Sequence, residues 1–173
     1  MKRIVAIGLG SLAAVGCVES ATDPGSDRRE GAAAMVEVDD ADRLADSWRW
    51  SRRVVIAVGP ESALARQAAL VGDHWEEWCD RDLQLVVLTR GGGLVVERFV
   101  DGGPVGATFD ETVEAGLEKR FGLDPHVEGF QAVLIGKDGG VKFRWNEVVA
   151  PAAVFDLVDA MPMRMREMRE DDR

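Results

Sequence analysis

The sequence predicts an α/β domain over residues 41–169: a mixed β-sheet flanked by helices, with an inserted hairpin. Two runs, the largely β-branched Arg53 to Val58 and the nearly all apolar Leu83 to Leu88, are separated by one stretch with helical spacing. That is a strand–helix–strand unit, so its strands run parallel with a right-handed crossover. Two further strand-like runs, joined by Lys137-Asp138-Gly139-Gly140, make an antiparallel hairpin ahead of a last helix. Glycine clusters at 91–93 and 102–106 bracket an extra strand pattern between these two halves.

Taken in order, residues 41–47 read as a short helix with Leu44 turned inward. The run Arg53-Val54-Val55-Ile56-Ala57-Val58 is β-branched and unbroken, which places it in the centre of a sheet with both faces covered. Gly59-Pro60 ends it. A helix is expected over about Glu61 to Asp80, with Leu64, Ala68, Val71, Trp75, Trp78 and Cys79 on one apolar face. Leu94 to Val100 is strand-like and reads as a protruding hairpin or an edge strand. Thr108 to Phe121 reads as a helix, with Thr108 and Glu111 as a capping box and Gly122 as its C-cap. Val141 to Trp145 alternates strictly, so one of its faces meets water. Pro151 opens the final helix, Val154, Phe155, Val158 and Met161 form its inner face, and the charged tail beyond either frays or continues as helix.

The thioredoxin arrangement satisfies this order, as does another small α/β sandwich. Four segments decide between them: Arg52-Arg53-Val54-Val55-Ile56, Arg81-Asp82-Leu83, the Gly129 to Lys142 block, and Met161-Pro162-Met163-Arg164 with Glu167-Met168. Together they resemble an uncharacterised thioredoxin/peroxiredoxin-like domain family found in secreted bacterial proteins and in some animal extracellular-matrix proteins. The resemblance spans about residues 44–169. It implies the fold and brings no assigned activity.

The N-terminus reads as an export signal. Met1-Lys2-Arg3 is a positive leader, and Ile4 to Val15 is an apolar run. That run is too short for a bilayer, which takes ~20 residues, and suits a signal peptide. Ala14-Val15-Gly16-Cys17 resembles the bacterial lipobox, so residues 1–17 are expected to be a lipoprotein signal with lipid attached at Cys17. Ala14 departs from the leucine usual at that position, and an ordinary secretory signal cut nearby is the competing reading. Several acyl chains at ~0.8 kcal/mol per methylene anchor stably. Val18 follows the cysteine and no Asp is present there, which points to the periplasmic face of the outer membrane. Residues 18–38 are polar and small and read as a flexible tether.

Composition narrows the partners. Net charge is −10, and becomes −12 once Lys2 and Arg3 leave with the signal. Such a surface repels phosphate backbones, so nucleic acid is not an expected partner. It has no basic stripe for anionic lipid, so the membrane is met through Cys17 alone. With two cysteines in the chain, no disulfide scaffold is expected.

In a thiol enzyme of the thioredoxin type, the resemblance implies a reactive cysteine at the start of the helix after the first strand. A cis-proline is implied before the third core strand. This chain has Gly59-Pro60-Glu61-Ser62 and Gly129-Phe130-Gln131 at those places. Cys79 reads instead as a core residue at a helix C-terminus, where the dipole and the neighbouring Glu76, Glu77, Asp80 and Asp82 raise a thiol's pKa. His74 with Glu77 reads as a solvated pair rather than half a metal site, and His126 as a loop residue. Trp48, Trp50, Trp75, Trp78 and Trp145 read as core rather than a ligand groove. Met163, Arg164, Arg166 and Met168 are the candidate interaction surface. The expectation is a lipid-anchored, non-catalytic binding module of the envelope, without cofactor or metal, whose protein or small-molecule partner is unspecified. The alternative is a redox or peroxide-responsive protein that uses Cys79.

Overall fold

The computed structural model describes residues 40–124 and 128–171. Cys17, the residues expected to form the signal and the tether, and His126 lie outside them.

Asp40 caps the first helix, α1 (Ala41–Trp48), by accepting from the Asp42 and Arg43 amides at 2.8 and 3.2 Å. β1 (Arg53–Val58) follows and is buried at all six positions. The expected single helix after it is two, α2 (Glu61–Gly72) and α3 (Trp75–Asp80). The break falls at Asp73-His74, where the His74 amide turns back to the Val71 carbonyl. β2 (Leu83–Thr89) completes the crossover.

The inserted segment is a full hairpin, β3 (Gly92–Val100) and β4 (Gly103–Asp110). Thr108 therefore lies in a strand. The cap of α4 (Glu111–Phe121) is Asp110, whose carboxylate accepts from the Thr112 and Val113 amides. Asp110 wins because its oxygen sits next to the first turn, whereas Thr108 is held by pairing with Leu94. Gly122 ends α4 in the left-handed conformation, as its sequence position predicts. β5 (Gln131–Ile135) and β6 (Val141–Trp145) form the second hairpin. Pro151 opens α5 (Pro151–Asp159), and the charged tail is a helix, α6 (Pro162–Asp171).

The strands make one sheet in the order β4-β3-β2-β1-β5-β6. β1 and β2 are parallel, and every other neighbouring pair is antiparallel. This is the thioredoxin-like arrangement, widened on the β2 side by the inserted hairpin. Alternation along β1 divides the apolar core into two layers. Val54, Ile56 and Val58 face α1 and α4, while Val55 and Ala57 face α2, α3 and α5. β6 departs from its expected half-burial. As the edge strand it leaves Val141 and Phe143 more than 40% exposed, because no helix covers the sheet there.

Candidate functional site

The sheet has two ends at which chemistry can be placed. At the upper end β1 finishes in Gly59 and α2 begins; at the lower end β1 and β2 begin and β5 finishes. Five steps of ~3.3 Å along β1 put the two about 17 Å apart.

At the upper end, the α2 entrance meets the segment that leads into β5. A side-chain carbon on Gly59 would lie 3.0 Å from both the Gly129 carbonyl oxygen and the Phe130 Cα, so the two loops touch through backbone. Gly59 takes a φ of +151°, open to glycine and strained for other residues. Pro60 caps α2 and no side chain bonds to the helix entrance. The two segments that would carry the thiol and the cis-proline do come together. They meet as Gly59-Pro60-Glu61 against Gly129-Phe130, with no sulfur at the helix dipole's positive end.

Cys79 requires a correction. It is exposed rather than part of the core. The break at Asp73-His74 rotates α3 relative to α2, so Trp78 is the buried member of that turn. Exposure does not activate the thiol. Partial burial pushes its pKa up, the Arg52 guanidinium pulls it down, Asp82 pushes it up again, and the net position is above the ordinary 9.0.

The lower end holds the densest chemistry in the domain, and sequence patterning alone did not find it. Arg53, only 1% exposed, sends Nη1 to the Arg81 carbonyl at 2.9 Å and Nη2 to both oxygens of Glu167 at 3.1 and 3.0 Å. Lys137 donates to Asp82 at 2.7 Å and to Glu167 at 2.8 Å. Arg81 grips Asp159 through Nε and Nη2 and lies 4.4 Å over the Phe155 ring. Arg164, 6% exposed, donates to the Asp80 carbonyl at 2.9 Å and to the Asp80 carboxylate. Burial would raise the Glu167 pKa, but hydrogen bonds from Lys137 and Arg53, with their charges, outweigh it and hold the carboxyl below its ordinary 4.5. All four segments that carry the family resemblance supply residues to this cluster. A lone Arg at the head of an apolar strand was the available signal, because such a charge must find a partner.

Other candidates separate in space. Of the four residues assigned to an interaction surface, Arg164 is buried and committed to Asp80; Arg166 is exposed, and Met163 and Met168 are half-buried. Trp48 and Trp78 are core, Trp75 meets Phe99 edge to face, and Trp145 leans on Phe143. Trp50 is not core: it is 67% exposed, with a left-handed φ of 65°, and its amide donates to the Lys137 carbonyl. His74 and Glu77 are both exposed and 3.6 Å apart. Among the described residues no three His, Cys, Asp or Glu side chains gather as a metal-ligand set, and no helix is long and apolar enough to cross a membrane.

Fold and site together define a thioredoxin-like domain with an ionic base and no thiol at the redox position. Comparison with known sequences places it further. Residues 44–167 match the family described as Domain of unknown function (DUF4174), and the chain belongs to that family. Sushi repeat-containing protein SRPX of Homo sapiens is 29% identical over 133 residues, which cover 77% of this chain. The chain spans 28% of that human protein. Among solved structures, the mitochondrial 2-cys peroxiredoxin from Plasmodium falciparum is similar with a TM-score of 0.45 and 11% identity, over 68% of this chain and 79% of that one.

Proposed function

We propose that this chain is a lipid-anchored protein of the bacterial envelope, held through Cys17, whose thioredoxin-like domain binds a partner rather than catalysing thiol chemistry. One observation carries the reading. The helix entrance that such chemistry needs carries no sulfur: it reads Gly59-Pro60-Glu61-Ser62, with Gly59 close against the Gly129-Phe130 backbone. Cys79 does not replace it, because a thiol held above its ordinary pKa is almost wholly protonated at neutral pH. The anchor rests on Ala14-Val15-Gly16-Cys17 behind a short apolar run. On α6, Arg166 is exposed and the half-buried Met163 and Met168 keep part of their surface available for contact. The partner is a protein or small molecule rather than nucleic acid, in keeping with a net charge of −10.

Two measurements test this. Labelling of growing bacteria with an alkyne fatty acid is expected to mark the wild type and to miss Cys17→Ser. The purified protein is expected to turn over neither peroxide nor a model disulfide. Turnover that vanishes in Cys79→Ser would overturn the non-catalytic reading, and labelling that survives Cys17→Ser would overturn the anchor.

A further inference from the structure

The helices of this domain are attached in two different ways. α1 and α4 are held by the apolar layer on one side of the sheet, and α2, α3 and α5 by the layer on the other. α6 is held otherwise. Among the described residues, no α6 side chain joins either apolar layer, and Arg164 is its one buried residue. Its attachment is ionic, through Glu167 to Arg53 and Lys137, and through Arg164 to Asp80.

We propose that α6 is a detachable latch, its Glu167 seated in a cationic cradle of Arg53 and Lys137, and that it leaves the domain without unfolding the sheet. The cradle is built to survive the loss. With Glu167 gone, Arg53 still donates to the Arg81 carbonyl and Lys137 to Asp82, so neither buried cation is stranded. Arg81 likewise keeps Asp159 and the Phe155 face. Release uncovers two cations at the lower end of an otherwise acidic domain and frees the methionine-bearing helix. The latch therefore couples the exposure of a carboxylate-binding cradle to the position of α6.

The charged groups facing Glu167 come from three elements: Arg53 from β1, Lys137 from the turn after β5, and Arg164 from its own helix at 4.0 Å. Asp82, ahead of β2, reaches it only through the shared Lys137. Three cationic partners hold the carboxylate ionised, so acid opposes them and opens the latch as pH falls through the carboxylate range.

Hydrogen exchange on the full chain tests the proposal. At neutral pH the amides of 165–171 are expected to be less protected than those of β1 and β2. Glu167→Gln keeps the shape and removes the charge. It is expected to lower protection of 165–171 by about tenfold or more, the size of a lost charged hydrogen-bonded pair, with the strands unchanged. Wild type carried stepwise below pH 4, corrected for the intrinsic rate, is expected to show the same selective loss growing as pH falls, because the carboxyl is held below 4.5, and this decides the matter if the variant does not accumulate. Equal loosening of β1, β2 and α6, or unchanged protection of α6, overturns the latch.

Discussion

Gln67 shows how one polar side chain is made compatible with a closed core. It lies on α2 with no exposure, its amide donating to the Val149 carbonyl at 3.1 Å while its oxygen accepts the Val149 amide at 2.8 Å. It stands in for a strand neighbour to a segment that has none. Gln67→Leu is expected to cost about 2–4 kcal/mol, because two buried backbone groups each lose a partner worth about 1–3. Chemical denaturation of variant and wild type measures this directly. Cys79 gives the second expectation at this scale. Burial holds its pKa above the ordinary 9.0, so the thiol form dominates at pH 7 and the thiolate grows only under alkaline conditions. Alkylation of folded protein at pH 7 is therefore expected to be slower than that of the unfolded chain, despite the exposed sulfur. Neither residue was legible in the sequence. Gln67 falls among apolar neighbours that hide the need for a polar partner, and Cys79 shares the helical spacing of the core face until the break at Asp73-His74 turns α3 away.

The inserted hairpin is the element whose stability depends on one carboxylate. Glu114, on α4, accepts from the Gly91 and Gly92 amides at 2.9 and 2.6 Å and so pins the turn between β2 and β3. Burial pushes its pKa above 4.5, the two glycine amides pull it down, and Glu118 and Glu111 push it up, with the net shift upward. A carboxyl whose folded pKa is raised favours the fold below its unfolded pKa and loses that contribution as pH rises through the folded one. Glu167 has the opposite sign, its contribution being present above 4.5 and lost on acidification. Glu114→Gln is therefore expected to flatten the fall in Tm above pH 4.5, and Glu167→Gln to flatten the fall below it. Tm measured against pH for both variants separates them. Further along the hairpin, Gly106 faces β3 at the shift of register between Val96 and Arg98, and any Cβ there would overlap the Val95 carbonyl oxygen. Gly106→Ala is expected to disorder the hairpin tip more than the sheet centre. The glycine clusters and the strand pattern marked this insert in the sequence. The bulge and the glutamate pin were not visible there, because the first depends on the register between β3 and β4 and the second on which turn α4 packs against.

At the scale of the whole molecule, β1 carries the argument. Each of its six residues is buried, and alternate residues enter opposite apolar layers, so the two layers share a wall one strand thick. The apolar run Val54 to Val58 made that central place legible in the sequence, since a stretch with no polar side has no face to give to water. What the run did not show is that Arg53 ahead of it faces α6 and ties the sheet to an ionic base. A shared wall predicts that the layers do not melt separately, although they touch different helices. Ile56→Ala empties space on the α1 and α4 side, and Val55→Ala on the other; each is expected to cost about 2–4 kcal/mol. Trp48 reports on the first layer and Trp78 on the second, both being buried. Variants whose single remaining tryptophan is Trp48 or Trp78, the other four replaced by phenylalanine, are expected to give coincident urea transitions, in the wild-type background and with either alanine. A Trp48 transition that ran ahead of Trp78 in Ile56→Ala alone would mean that the layers are joined less tightly than one strand implies. Coincidence in every background means that force on either face is felt across β1.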